Sequence, residues 1–233
     1  MKLDILAIGV HPDDVELSCA GTIAKHVEAG KKVGILDLTK GEMGTRGTIE
    51  TRKQEAADAA KILGLSTREN IGIEDAFFEN NKVNQIKIIE VIRKYQPAII
   101  LANATSDRHP DHGRGAKLIS DACFYSGLAK IETGQQPWRP NAVYHFIQDR
   151  FIQPDFVIDV TNFLEIKIKS IMAYKTQFYN PESKEPQTPI SGEDFIEFIK
   201  ARMRTFGRDA GFKYAEGYTT ERVIGVNLLD SII

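Results

Sequence analysis

Apolar residues along this chain fall into short runs of strand length, and stretches of helical period separate them. Leu3 to Ile8 is nearly continuous in apolar residues, and a helical pattern follows from Val15 to Ala29, predicting a helix from near Asp13 to near Gly30. Lys32 to Leu38 predicts a second strand. Glu50 to Leu63 predicts a second helix with Ala56, Ala59, Ala60 and Leu63 on its apolar face and Gly64 as its stop. Strand, helix, strand in that order implies a parallel pair joined by a right-handed crossover. Asn70 to Asp75 predicts a short strand and turn, and Asn84 to Tyr95 an amphipathic helix. Ala98 to Ala102 predicts a strand, and His112 to Ser126 a helix rich in small residues. After a polar loop holding Trp138, strands are predicted at Asn141 to Ile147 and Phe156 to Val160, then a helix from Asn162 to Tyr174 capped by Thr161. Asn180 to Gly192 carries three prolines and no hydrophobic period, which suits a disordered loop, a lid or an oligomer arm. A helix at Glu193 to Thr205, tight turns in Gly207 to Glu216 and a last strand at Glu221 to Leu229 complete an α/β pattern. No repeat or boundary divides it, so residues 1–233 are expected to form a single domain.

Composition narrows the class without naming a function. At 233 residues the chain can bury one sizeable core, and 42% hydrophobic with 27% charged residues is ordinary for a globular protein. A formal net charge of −2 gives no sign of a nucleic-acid or membrane surface. No apolar run is long enough to span a bilayer and no signal-peptide pattern is seen, so a cytoplasmic protein is expected. Cys19 and Cys123 form no disulfide framework and are expected as small buried apolar residues.

The chemistry concentrates at two turns. His11-Pro12-Asp13-Asp14 follows the first strand, and Asp107-Arg108-His109-Pro110-Asp111-His112 follows the strand ending at Ala102. Taken singly, the first suits a helix N-cap and the second a plain turn. Together they hold three of the chain's five histidines, each beyond a strand, where open α/β sheets place their ligands. If the two strands are neighbours, His11, Asp14 and His112 would supply three metal ligands and leave a fourth position for water. Asp13 is then placed to act as general base, and His109 to steady an oxyanion or protonate a leaving amine, with Asp111 fixing its tautomer. Arg52, a cation in the first turn of its helix, gains nothing from the helix dipole and is a candidate to meet an anionic or polar substrate. Asp75 ends its predicted strand on the same edge. The glycine-rich stretch Thr39 to Ile49 matches neither a Walker loop nor a dinucleotide loop, and it is expected on the substrate side.

These motifs, with the loop Gly41-Glu42-Met43-Gly44-Thr45-Arg46-Gly47, the pattern Arg52-x-x-Glu55-x-x-x-Ala59-x-x-x-Leu63-Gly64 and the segment Phe206 to Tyr218, resemble the zinc-dependent N-acetylglucosamine deacetylases (PIG-L/LmbE-like). The resemblance covers essentially the whole chain. Gly44-Thr45-Arg46-Gly47 and Tyr214-Ala215-Glu216-Gly217-Tyr218 make it most similar to the bacillithiol-pathway branch, which acts on N-acetylglucosaminyl malate. The resemblance implies a Rossmann-like three-layer fold with a mainly parallel sheet, and Zn2+ on His11, Asp14 and His112, a donor set that Fe2+ or Co2+ would also suit. It implies Asp13 as base, His109 supported by Asp111, Arg52 and Asp75 on the sugar side, and a homo-oligomer, often a hexamer. Cys19 stands where such proteins commonly have a small residue, which suits packing. The rival readings are a non-catalytic carbohydrate- or metal-binding module, a deacetylase of another N-acetylglucosamine conjugate, and a metal-dependent amidase or phosphoesterase.

Overall fold

The computed structural model describes residues 1–228. The first two apolar runs become β1 (Ile5–Gly9) and β2 (Val33–Asp37), and β3 (Thr67–Asn70), β4 (Ile99–Ala102) and β5 (Ala142–Phe146) follow. With β6 (Phe156–Asp159) and β7 (Ala215–Thr220) they form one sheet in the order β3-β2-β1-β4-β5-β7-β6. The first five strands are parallel, and β7 slots antiparallel between β5 and β6.

Alternation along the strands feeds two apolar layers. Leu6 and Ile8 of β1 face a core with α3 (Lys82–Tyr95) and α4 (Pro110–Tyr125). Ile5 and Ala7 face the other core, with α1 (Asp14–Glu28). On that side α2 (Ile49–Leu63), α5 (Leu164–Ile171) and α6 (Phe195–Arg208) add a third cluster around Tyr174, Phe178 and Met203. The result is the expected three-layer α/β sheet, mainly parallel, covered on both faces.

β1 and β4 are neighbours in register, Ile8 beside Ala102. From β1 the chain moves on to β2 at one side, and from β4 to β5 at the other. The strand order therefore reverses between them, which opens a crevice at their carboxyl ends. The Val10 N–H donates to Asn103 Oδ1 at 2.9 Å and stitches the two exits together.

α1 is broken at Cys19 (φ −135°, ψ 17°), which is fully buried as expected of a packing residue. The N–H groups freed by the break, Gly21 and Thr22, donate to the two Glu216 carboxylate oxygens at 3.0 and 2.7 Å. Lys167 Nζ donates to the Leu17 carbonyl at 2.9 Å and to Glu216 at 2.7 Å. A buried ion pair from α5 and β7 thus replaces the backbone bonds the kink gives up.

Four predicted elements fall elsewhere. The third strand is Thr67–Asn70, ahead of the predicted 70–75, because Arg68 pairs with Asp37 and Glu16 and docks this polar edge strand on β2. α4 begins at Pro110 with His109 at its N-cap, so Asp111 and His112 lie in its first turn. A 3-10 turn, Thr161–Phe163, precedes a shorter α5, and Thr161 does not cap it; its N–H donates to Asp159 Oδ1 at 2.9 Å. The last described strand is β7, not Glu221 to Leu229: residues 221–228 are exposed and outside any strand, and Leu229 lies outside the described residues.

Candidate active site

His11, Asp13, Asp14, His109 and His112 line one cleft of about 170 Å³ at the switch point. Both histidines proposed as ligands are oriented by a carboxylate on the far nitrogen. His11 Nε2 lies 3.0 Å from Asp75 Oδ1, and His112 Nδ1 lies 2.6 Å from Asp107 Oδ2. The opposite nitrogens face Asp14: His11 Nδ1 is 3.6 Å from Oδ2 and His112 Nε2 is 3.2 Å from Oδ1. Asp14 is held in turn. Its Oδ2 accepts from the His11 N–H at 2.9 Å and from Asn103 Nδ2 at 3.0 Å, and its Oδ1 from Gln148 Nε2 at 2.6 Å.

This arrangement fits a divalent cation. With a carboxylate accepting from one nitrogen of each ring, the other nitrogen can present a lone pair, the outer-shell pattern of imidazole ligands. Burial favours neutral imidazoles, yet Asp14 and Asp107 outweigh it and lift His112 to about 9. His11 is likewise raised, with Asp111, Asp14 and Asp75 overcoming its burial. The site is rich in negative charge and draws cations. Asp14 meets the two rings through different oxygens, and among the described residues the donor groups that lie within 4.8 Å of one another are His11/His109/His112 and His11/Asp75/Asp111. The Gln148 amide lies beside this pair, with Nε2 2.6 Å from Asp14 Oδ1 and 3.4 Å from His112 Nε2.

Asp13 does not cap α1. It sits at the N-cap position with φ 119° and makes no side-chain cap bond. A left-handed backbone at a non-glycine residue costs about 1–3 kcal/mol and persists only where neighbours enforce it. Arg52 does so here, donating through Nη2 to Asp13 Oδ2 at 2.9 Å and to the Pro12 carbonyl at 2.6 Å. Its guanidinium lies against Gly41, where an added Cβ would meet Nη1 at 2.2 Å, so this loop position requires glycine. Burial pushes the Asp13 carboxyl up to about 7, with Asp14 adding to the rise and Arg52 opposing it.

Arg52 and Asp75 line the cleft and also hold neighbouring site residues, while Asp111 departs from the sequence expectation. Arg52 is buried, lines the cleft and is held by Asp13 and Pro12, so it braces the turn. Asp75 faces His11 and the Met43 N–H at 3.0 Å, and is held down to about 2 by the His11 imidazole against the effect of its burial. Asp111 does not set the His109 tautomer: its carboxylate stays 4.0 Å from His109 Nδ1 and binds the Ala76 N–H and Arg114. The Asp111 backbone N–H donates to His109 Nδ1 at 3.3 Å instead, which leaves the ring proton on Nε2.

Asn103, Asp107 and Gln148 carry the ligand geometry, although the sequence assigned none of them a role. Asp107 opens the second histidine stretch, and Asn103 is a polar residue one step beyond Ala102, the register partner of Ile8. The proline-rich stretch folds over the glycine-rich loop: Ser183 accepts from Arg46 at 2.7 Å, Glu185 accepts from the Gly47 N–H at 2.8 Å, and Ile190 lines the cleft.

Residues 6–123 match the model of the GlcNAc-PI de-N-acetylase family (PIG-L), and the chain belongs to this family. A conserved protein of Thermus thermophilus has the same fold, with 33% identity, a TM-score of 0.87 and coverage of 97% of this chain and 98% of that one. A Bacillus subtilis protein described as a probable N-acetyl-alpha-D-glucosaminyl L-malate deacetylase 2 is 27% identical over 194 residues, 76% of this chain and 84% of its own. An uncharacterized deacetylase of Escherichia coli is 35% identical over 120 residues, 46% of this chain, and the match spans 61% of that relative's length. Among the described residues, no helix is long and apolar enough to cross a membrane.

Proposed function

We propose that this chain hydrolyses the N-acetyl group of an N-acetylglucosaminyl conjugate, releasing acetate and the free amine, with N-acetylglucosaminyl malate as the favoured substrate. One observation carries this reading: His11 Nδ1 and His112 Nε2, each ring braced by a carboxylate, face the same Asp14 in a cleft that also holds the buried, strained Asp13. His11, Asp14 and His112 would hold the metal, and zinc is the ion we favour. A divalent cation there supplies Lewis acidity to water and to the acetamide carbonyl.

The chain's own groups handle the protons. Asp13 keeps Oδ2 on Arg52 and offers Oδ1 to the attacking water, taking its proton as the water oxygen bonds to the acetyl carbon. His109, with its proton on Nε2, donates a hydrogen bond to the carbonyl oxygen as negative charge builds there. When the carbon–nitrogen bond breaks, the amine nitrogen takes the proton from Asp13, and the acetic acid left behind gives its remaining proton to solvent to become acetate.

The test is amine release from N-acetylglucosaminyl malate by the purified protein. Free amine should form with zinc, cease with chelator and return when zinc is restored. No amine with metal restored would overturn the proposal in favour of a binding module or a different substrate.

A further inference from the structure

Phe195, Ile199 and Arg202 recur at helical spacing along α6, and all three line the cleft that holds His11 and His112. Leu17 and Ile190 line it too, so one guanidinium interrupts an apolar wall. Arg202 is half-buried. Its one hydrogen bond among the described residues is long, from Nη2 to the Leu17 carbonyl at 3.5 Å. The Phe198 ring, centred 5.6 Å from the guanidinium carbon, steadies it without neutralising it.

Three carboxylates are close enough to act on Arg202, and each is engaged elsewhere. Asp149 pairs with Arg108. Asp107 accepts from His112 and from the N–H groups of Asp149 and Arg150. Glu216 takes Lys167 and the two N–H groups at the α1 kink. Desolvation by the packed wall pulls Arg202 down to about 10, as befits a cation short of counter-charge. The other arginines of the cleft are matched, Arg52 by Asp13 and Arg108 by Asp149.

We propose that Arg202 is a specificity-determining residue: it binds a carboxylate on the group attached to the sugar, so the preferred substrates are anionic N-acetylglucosaminyl conjugates. The assignment depends on the deacetylase reading above. A guanidinium fork matches a carboxylate in shape and charge, and a partly desolvated site strengthens the pair. The apolar residues beside it exclude water from that contact.

The zinc-loaded wild type, Arg202→Gln and Arg202→Lys are compared on N-acetylglucosaminyl malate and on the neutral methyl N-acetylglucosaminide. The loss of kcat/KM for Arg202→Gln on the malate conjugate should exceed its loss on the neutral glycoside by about 10-fold or more, the weight of one charge-assisted contact. It should appear mainly in KM, and Arg202→Lys should fall between. Equal losses on both substrates, or none, overturn the assignment. A wild type inactive on both overturns the deacetylase reading instead. Calorimetry with the deacetylated glucosaminyl malate then decides on Arg202 alone: about 10-fold weaker binding in Arg202→Gln supports it, and equal affinity or no binding to either overturns it.

Discussion

Replacing Lys167 with Met removes the cation from a pair in which both side chains are 1% exposed. Glu216 would keep the N–H groups of Gly21 and Thr22 at 3.0 and 2.7 Å but lose the ammonium at 2.7 Å. The Leu17 carbonyl, at the break in α1, would lose its short donor at 2.9 Å and keep only the long contact from Arg202 at 3.5 Å. Breaking a buried pair from one side costs about 3–5 kcal/mol, because the remaining charge is stranded. Met has nearly the volume of Lys, so little cavity cost is added. The two backbone donors still serve the carboxylate, which places the expected loss near the lower bound, about 3 kcal/mol. Against a total stability of about 5–15 kcal/mol this is large. In equilibrium urea unfolding it should lower the midpoint by about 1 M or more. Adding Glu216→Gln removes the stranded charge while an amide oxygen can still accept at the kink, so the double variant should be more stable than Lys167→Met alone. The exposed pair Lys200–Glu197 is the control, and Lys200→Met should change stability by no more than about 0.5 kcal/mol. A loss below about 1 kcal/mol in Lys167→Met, or simple additivity in the double variant, would refute the account of the kink.

Two further variants probe the cleft. Asp13→Asn should retain metal, measured as metal content of the purified protein, while turnover falls by about 10²- to 10⁴-fold; loss of the metal together with the fold would sink the base assignment. Asp75→Asn removes the anionic partner of His11 Nε2 and should weaken metal binding by about 10- to 100-fold in competition with a chromogenic chelator; unchanged affinity would mean that Asp75 does not orient the ring.

Strands buried on both faces announced themselves in the sequence. β1, β2 and β4 are apolar throughout or nearly so, and their adjacency brought the two histidine turns to one edge as expected. β3 and β7 were harder to see because their residues answer to tertiary partners. Arg68 makes β3 polar by reaching Asp37 and Glu16. In β7, Glu216 serves Lys167, and Gly217 lies where a Cβ would come within 3.2 Å of Ile147 and Phe206. The hydrophobic stretch after β7 misled in the opposite sense, since Val223 is 93% exposed. At the site, the histidines and aspartates stood out by type and spacing. Asn103 and Gln148 are isolated amides, and no spacing rule marks a residue that acts by holding another.

The position of β7 has a consequence for how the protein comes into being. Every proposed metal donor lies at or before His112, so all of them leave the ribosome early. β7 enters between two strands that precede it, and its Glu216 splices the helix that carries Asp14. Until that late segment arrives, the nascent chain holds the donors and their side-chain partners but not the carboxylate that serves the kink of α1. A chain truncated before Ala215 would carry the proposed donor residues without the strand that braces their helix.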